Sequence, residues 1–184
     1  MTLYRALLDI SLPTIVVAVL GMPETIIGFL EYLLFLNMNK TQSNAKEKKY
    51  QKSIRLINTL DAKDKIDNII KCLFEEFEDW IFCGFYIEKD NYLEISNYLS
   101  DKIPCSPIQM NGVCGQSLLK NKTLIVADVN KFTNHIVCDE NSKSEIAIPF
   151  IKNNKRYVLD IDSKNLDDFN QVDEKYLKEI LEKI

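Results

Sequence analysis

The chain has 184 residues, 46% of them apolar, and a formal net charge of −4. Such a chain is large enough to bury a core without a disulfide or metal staple, and reads as one globular domain with extra length. Acidic and basic residues are interspersed, which argues against a basic face for nucleic acid, and five cysteines are not the even set of a secreted disulfide framework. The expected compartment is the cytoplasm, where thiols outside the core are more often catalytic or metal-binding.

Residues 1–37 are mostly apolar, and from Met38 the chain turns polar with MNKTQSNAKEKKYQK. A transmembrane helix needs about 20 consecutive apolar residues. Here Asp9, Glu24 and Glu31 interrupt, with Pro13 and Pro23, and no small-residue cleavage site is clear. Three readings stay open for 1–37: a helix pair packed on the domain or on a partner, a membrane-surface anchor, or a non-native extension with the domain beginning at Met38. The third is preferred, because the pattern over 38–184 needs nothing from it.

Within 43–58, Tyr50, Ile54 and Ile57 recur at helical spacing. A second helix follows, with Asp61 as its N-cap and Ile66, Ile69, Ile70, Leu73, Phe74 and Phe77 as its stripe. Cys72 flanks that stripe. The β-branched and aromatic run 81–88 and YLEISNYL pair as a hairpin, with Cys83 as a core thiol. An irregular stretch with Pro104 and Pro107 leads to a short helix over 113–121 and a strand over 123–128. A loop then carries His135, the only histidine, and Cys138. EIAIPFI (145–151), the turn Asn153-Asn154 and KRYVLDID (155–162) form a second hairpin, and a helix capped by Asn170 and Asp173 closes the chain. Helices at both ends of an antiparallel sheet make an α+β fold.

A two-residue Asn-Asn turn sets the register of the second hairpin, so that positions summing to 307 face one another. Glu145 then opposes Asp162, Ala147 opposes Asp160, and all three acids share one face, with Tyr157, Leu159 and Ile161 on the other. Like charges opposite one another destabilise a sheet, so solvent, a cation or a proton must offset them. A wet surface is the ordinary explanation; in a partly covered pocket the trio would suit an ammonium group, and one member could act as a general acid.

Three cysteines lie in or beside loops. Cys114, in NGVCG, falls at a helix start, where the dipole is expected to favour thiolate. Cys105 and Cys138 lie in the irregular stretches. Inert thiols, a zinc site with His135, a Cys–His hydrolase and redox chemistry through sulfenic acid and disulfide all compete. The spacings lack the short chelate pair of structural zinc, and a dyad three residues apart is unlike the distant pairs of cysteine proteases.

Four stretches in order, CGFY (83–86), GVCG (112–115), HIVCDENSKSEI (135–146) and VLDIDS (158–163), resemble the GAF-domain free methionine-(R)-sulfoxide reductases. The resemblance covers about residues 50–184. It implies a GAF-like antiparallel sheet flanked by helices, no bound cofactor or metal, and reduction of free methionine-(R)-sulfoxide with electrons from thioredoxin and NADPH. By position, Cys138 would attack the sulfoxide and Cys105 would resolve the sulfenic acid, with Cys114 as alternative. Glu145, Asp160 and Asp162 would hold the substrate and help protonate its oxygen; Asp128 is a further polar candidate. Phe82 stands where the family commonly has Trp, and Trp80 is expected to supply part of the aromatic wall. A homodimer is a further expected assembly. The alternatives are a GAF module that binds a small molecule without turnover, or an interaction domain working through 1–37.

Overall fold

The computed structural model describes residues 24–60, 65–134 and 138–184. The Asp61 cap, His135 and most of the apolar N-terminal stretch lie outside them. The chain divides into two compact units between Asn44 and Ala45. Of the first, residues 24–44 are described. They are helical, with Phe29, Tyr32, Phe35 and Met38 exposed. No described helix is long and apolar enough to cross a membrane.

The second unit contains the later turns of α1 (Glu24–Ile57), then α2 (Lys65–Glu76), β1 (Trp80–Lys89), β2 (Tyr92–Ser100), β3 (Ile108–Gln109), α3 (Val113–Lys120), β4 (Leu124–Val126), β5 (Ser144–Lys152), β6 (Lys155–Ser163) and α4 (Gln171–Leu181). Six strands form one antiparallel sheet in the order β3-β2-β1-β6-β5-β4. β3, two residues long, falls where the sequence reads as irregular; a segment that short shows no alternation, and only pairing with Tyr92 and Leu93 makes it a strand.

The pleat divides the sheet's residues between two cores. On one face Cys83, Phe85, Ile146, Ile148, Leu159 and Ile161 meet the stripes of α2 (Ile69, Ile70, Leu73) and α4 (Tyr176, Leu177, Ile180). A buried polar cluster ties α4 to α1. The Asp173 side chain accepts from the Asn170 backbone N–H, from the Tyr50 hydroxyl at 2.7 Å and from Lys46 at 3.0 Å, completing the expected capping box. On the other face Phe82, Tyr86, Ala147 and Val158 meet α3 and the loops before it. That second layer is thinner, and there the sheet meets a cavity.

Trp80 corrects the sequence-based expectation. It packs in the helix-side core, stacked on Phe77 at 4.2 Å between ring centroids, and does not wall the cavity. The register on β6 slips between Trp80 and Phe82, whose partners are the adjacent Ser163 and Asp162. This bulge turns two residues of equal parity to opposite faces.

Candidate active site

The β5–β6 hairpin builds the floor of the site. Asn153 and Asn154 have φ of 49° and 59°, the two left-handed residues that a tight primed turn requires. The expected register follows: Glu145 pairs with Asp162 and Ala147 with Asp160. Ile146 and Ile161 go to the helix side, and Glu145, Asp160 and Asp162 all line the cavity on the other side. The cavity encloses about 610 Å³ including its open mouth.

Two glycines let the surrounding pieces close in. A side chain on Gly115 would place its Cβ 2.3 Å from the Met110 backbone, so only glycine lets the first turn of α3 lie against that segment. This puts Cys114 on the acidic floor, its thiol donating to Glu145 Oε1 at 3.6 Å. At Gly84 a Cβ would fall 2.9 Å from the tip of the Phe82 ring and 2.6 Å from Tyr98 Cβ, and its absence lets that ring lie along the strand. Phe82 (6% exposed) and Tyr86 form the apolar wall, their ring centroids 6.1 Å apart.

The two remaining loops bring in the other thiols. The Tyr86 hydroxyl donates to the Cys105 carbonyl at 3.0 Å and pins the loop after β2. Lys102 in that loop meets Asp139 at 2.7 Å. Asp139 also accepts from the Asn141 backbone N–H at 2.8 Å, which holds the turn after Cys138. Cys138 lines the cavity, and Cys105 is near enough to raise the pKa of its thiol. All five cysteines are free thiols.

Burial dominates the electrostatics. Glu145 and Asp160 are 5% and 6% exposed. Burial, then Asp160 and Asp162, holds the Glu145 carboxyl well above its usual range, and burial with Asp160 does the same for Asp162. Burial raises Asp160 less, to about 6, because the polar groups of Cys114 and Glu145 beside it and the Ile161 backbone N–H favour its ionised form. Asp160 is therefore the readiest of the three to ionise, and Glu145 and Asp162 keep their protons to higher pH than ordinary carboxyls do. Asp160 Oδ1 is buried with no hydrogen-bond partner among the described residues. Leaving such an acceptor unpaired costs about 1–3 kcal/mol. A cationic or N–H donor on a ligand would recover it.

The thiols correct a second expectation. The helix start does not favour thiolate at Cys114: burial, followed by Asp160 and Glu145, pushes its pKa well up. Desolvation and two acids outweigh a partial dipole charge. Burial, then the adjacent Cys105 thiol, also raises Cys138. Among the described residues, Cys114, Glu145 and Asp160 are the one group of donors close enough to share a metal ion, their atoms within 4.8 Å of one another. Asp128 is placed elsewhere. Its carboxylate caps the 3-10 turn at Val129–Lys131 through the Asn130 backbone N–H and pairs with Lys131 at 3.1 Å.

Three residues of the site were not singled out from sequence. Ser142 donates to Asp162 Oδ1 at 2.7 Å. Tyr86 shares the parity of Phe82 and Gly84, a signal present in the strand pattern. Lys102 carries no local signal, since its place depends on how two distant loops meet.

A six-stranded antiparallel sheet with α2 and α4 on one face, and α3 beside a cavity on the other, is the architecture of a GAF domain. The chain is 38% identical over 145 residues to GAF domain-containing protein A of Dictyostelium discoideum, covering 74% of this chain and 90% of that protein. It is 36% identical over 116 residues to the free methionine-R-sulfoxide reductase (fRMsr) of Escherichia coli, covering 62% of this chain and 70% of that one. The fRMsr structure of Staphylococcus aureus in its reduced form superposes with a TM-score of 0.65 at 32% identity, covering 76% of this chain and 92% of that one. No protein-family model matches the chain. The chain belongs to the GAF-domain free methionine-(R)-sulfoxide reductase family, whose members are oxidoreductases.

Proposed function

We propose that this protein reduces free L-methionine-(R)-sulfoxide to methionine by thiol chemistry at Cys138. One observation carries the reading: Cys138, with Cys105 next to it, and three buried acids, one of them with an unpartnered oxygen, converge on a single small cavity. A sulfoxide needs a nucleophile at sulfur and a proton at oxygen, and a free amino acid brings an ammonium group for the anion.

Asp160 takes the ammonium, while the Phe82–Tyr86 wall receives the apolar end. Cys138 Sγ attacks the sulfoxide sulfur as Glu145 or Asp162 donates a proton to the oxygen, and the proton leaving the Cys138 thiol restores that acid. The oxygen passes to Cys138, which becomes sulfenic acid as methionine leaves; the sulfoxide gains the two electrons the thiol loses. The Cys105 thiol then attacks the sulfenic sulfur, expelling water and forming a disulfide. Cys114, engaged with Glu145, is the alternative partner. A dithiol of the thioredoxin type, recharged by NADPH, reduces the disulfide. Such a cycle belongs in a reducing compartment such as the cytoplasm.

With thioredoxin, thioredoxin reductase and NADPH, the protein should consume NADPH when given free methionine-(R)-sulfoxide, and turn over the (S) epimer or peptide-bound sulfoxide poorly. Cys138→Ser should abolish turnover, while Cys105→Ser should release about one methionine per protein and then recycle slowly. Full activity in Cys138→Ser would dismiss the mechanism. Tight binding of the sulfoxide without NADPH consumption would mark the protein as a sensing module.

A further inference from the structure

The floor of the cavity accounts for the ammonium and the sulfoxide of a free amino acid but, among the described residues, holds no cation for its carboxylate. Four of the charged side chains lining the cavity among the described residues are acidic: Asp139, Glu145, Asp160 and Asp162. Among the described lining residues, Lys102 is the one cation. Its ammonium carries three donors. One is spent on Asp139 at 2.7 Å, and Glu140 lies at 4.0 Å. The Lys102 side chain is 46% exposed, so its long stem can swing. Asp139 cannot follow as readily, because its carboxylate also holds the Asn141 N–H.

We propose that Lys102 is the carboxylate-recognising residue of this site, and that Asp139 occupies it in place of the substrate's α-carboxylate until the substrate arrives. The cavity is then polarised, with acids on the floor and one cation in the loop that carries Cys105, which matches a zwitterionic amino acid and rejects a residue inside a peptide. The inference rests on the substrate class proposed above. It also makes an opposite-sign prediction for two residues of one ion pair. If the pair were merely a clasp between loops, removing either partner would do the same harm. If Asp139 is a stand-in, removing its charge frees Lys102 and removes a repulsion.

The test compares free methionine-(R)-sulfoxide with its α-carboxamide. Lys102→Ala should raise KM for the free acid about tenfold, the size of one charge-assisted hydrogen bond at a half-exposed site. It should leave KM for the amide unchanged, and Lys102→Arg should restore the preference for the acid. Asp139→Asn keeps an oxygen for the Asn141 N–H and should lower KM for the acid. Equal losses on acid and amide in Lys102→Ala, or a rise in KM in Asp139→Asn matching that of Lys102→Ala, would overturn the proposal. Calorimetry with methionine and methioninamide needs no turnover. Wild type should prefer methionine and Lys102→Ala should not. A wild type inactive on the free sulfoxide would sink the proposed reaction, while the calorimetric comparison would still decide the role of Lys102.

Discussion

Replacing Asp160 with asparagine should stabilise the protein and cripple substrate binding, and the pH dependence of both effects follows from one number. The carboxyl ordinarily ionises near 3.8, and in the fold it ionises at about 6, raised chiefly by burial. A group whose folded pKa lies above its unfolded one binds its proton more tightly in the native state. Its favourable contribution is fully present below the unfolded value and is lost as pH rises through the folded value. At about 1.4 kcal/mol per pH unit, the ionised group costs the native state about 3 kcal/mol at pH 7.5. The amide of the variant carries no charge, so Asp160→Asn should melt higher at pH 7.5, by up to about 6–12 °C for a chain of this size. The gain should vanish near pH 4, where wild-type Asp160 is already neutral. Conversely, KM for the sulfoxide should climb in wild type as pH falls through about 6, and be high and flat in the variant. Thermal melts and initial rates from pH 4 to 8 check both halves. A melting difference independent of pH, or a variant less stable than wild type at pH 7.5, would refute the assignment of Asp160 as the strained anion of the site.

Two further outcomes follow from the geometry. Ser142→Ala removes a donor that favours ionised Asp162. If Asp162 is the acid, the alkaline limb of the kcat–pH profile should move to higher pH; an unmoved limb would leave Glu145 in that role. Gly115→Ala drives a Cβ to 2.3 Å from the Met110 backbone and should cost about 2–3 kcal/mol in a denaturant titration, with loss of activity as α3 and Cys114 are displaced.

Much of this site is legible in the chain before folding. The Asn153-Asn154 turn and the alternation in β5 and β6 are local properties, and together they place Glu145, Asp160 and Asp162 on one face; the register agrees with that reading residue for residue. The α4 cap and the α2 stripe are equally local. What escaped the sequence depends on contacts between distant segments. A bulge one residue wide sends Trp80 to the opposite core from Phe82. Burial beside two carboxylates reverses the expected ionisation of Cys114, since desolvation is a property of the closed cavity and not of the helix start that carries the thiol. Lys102 enters the site only because the loop after β2 crosses the turn after Cys138. Periodicity and turn chemistry decide which way a side chain points, because the backbone imposes them within a few residues. Which proton stays on which group is decided by the water that packing excludes, and that is known only once the loops have met.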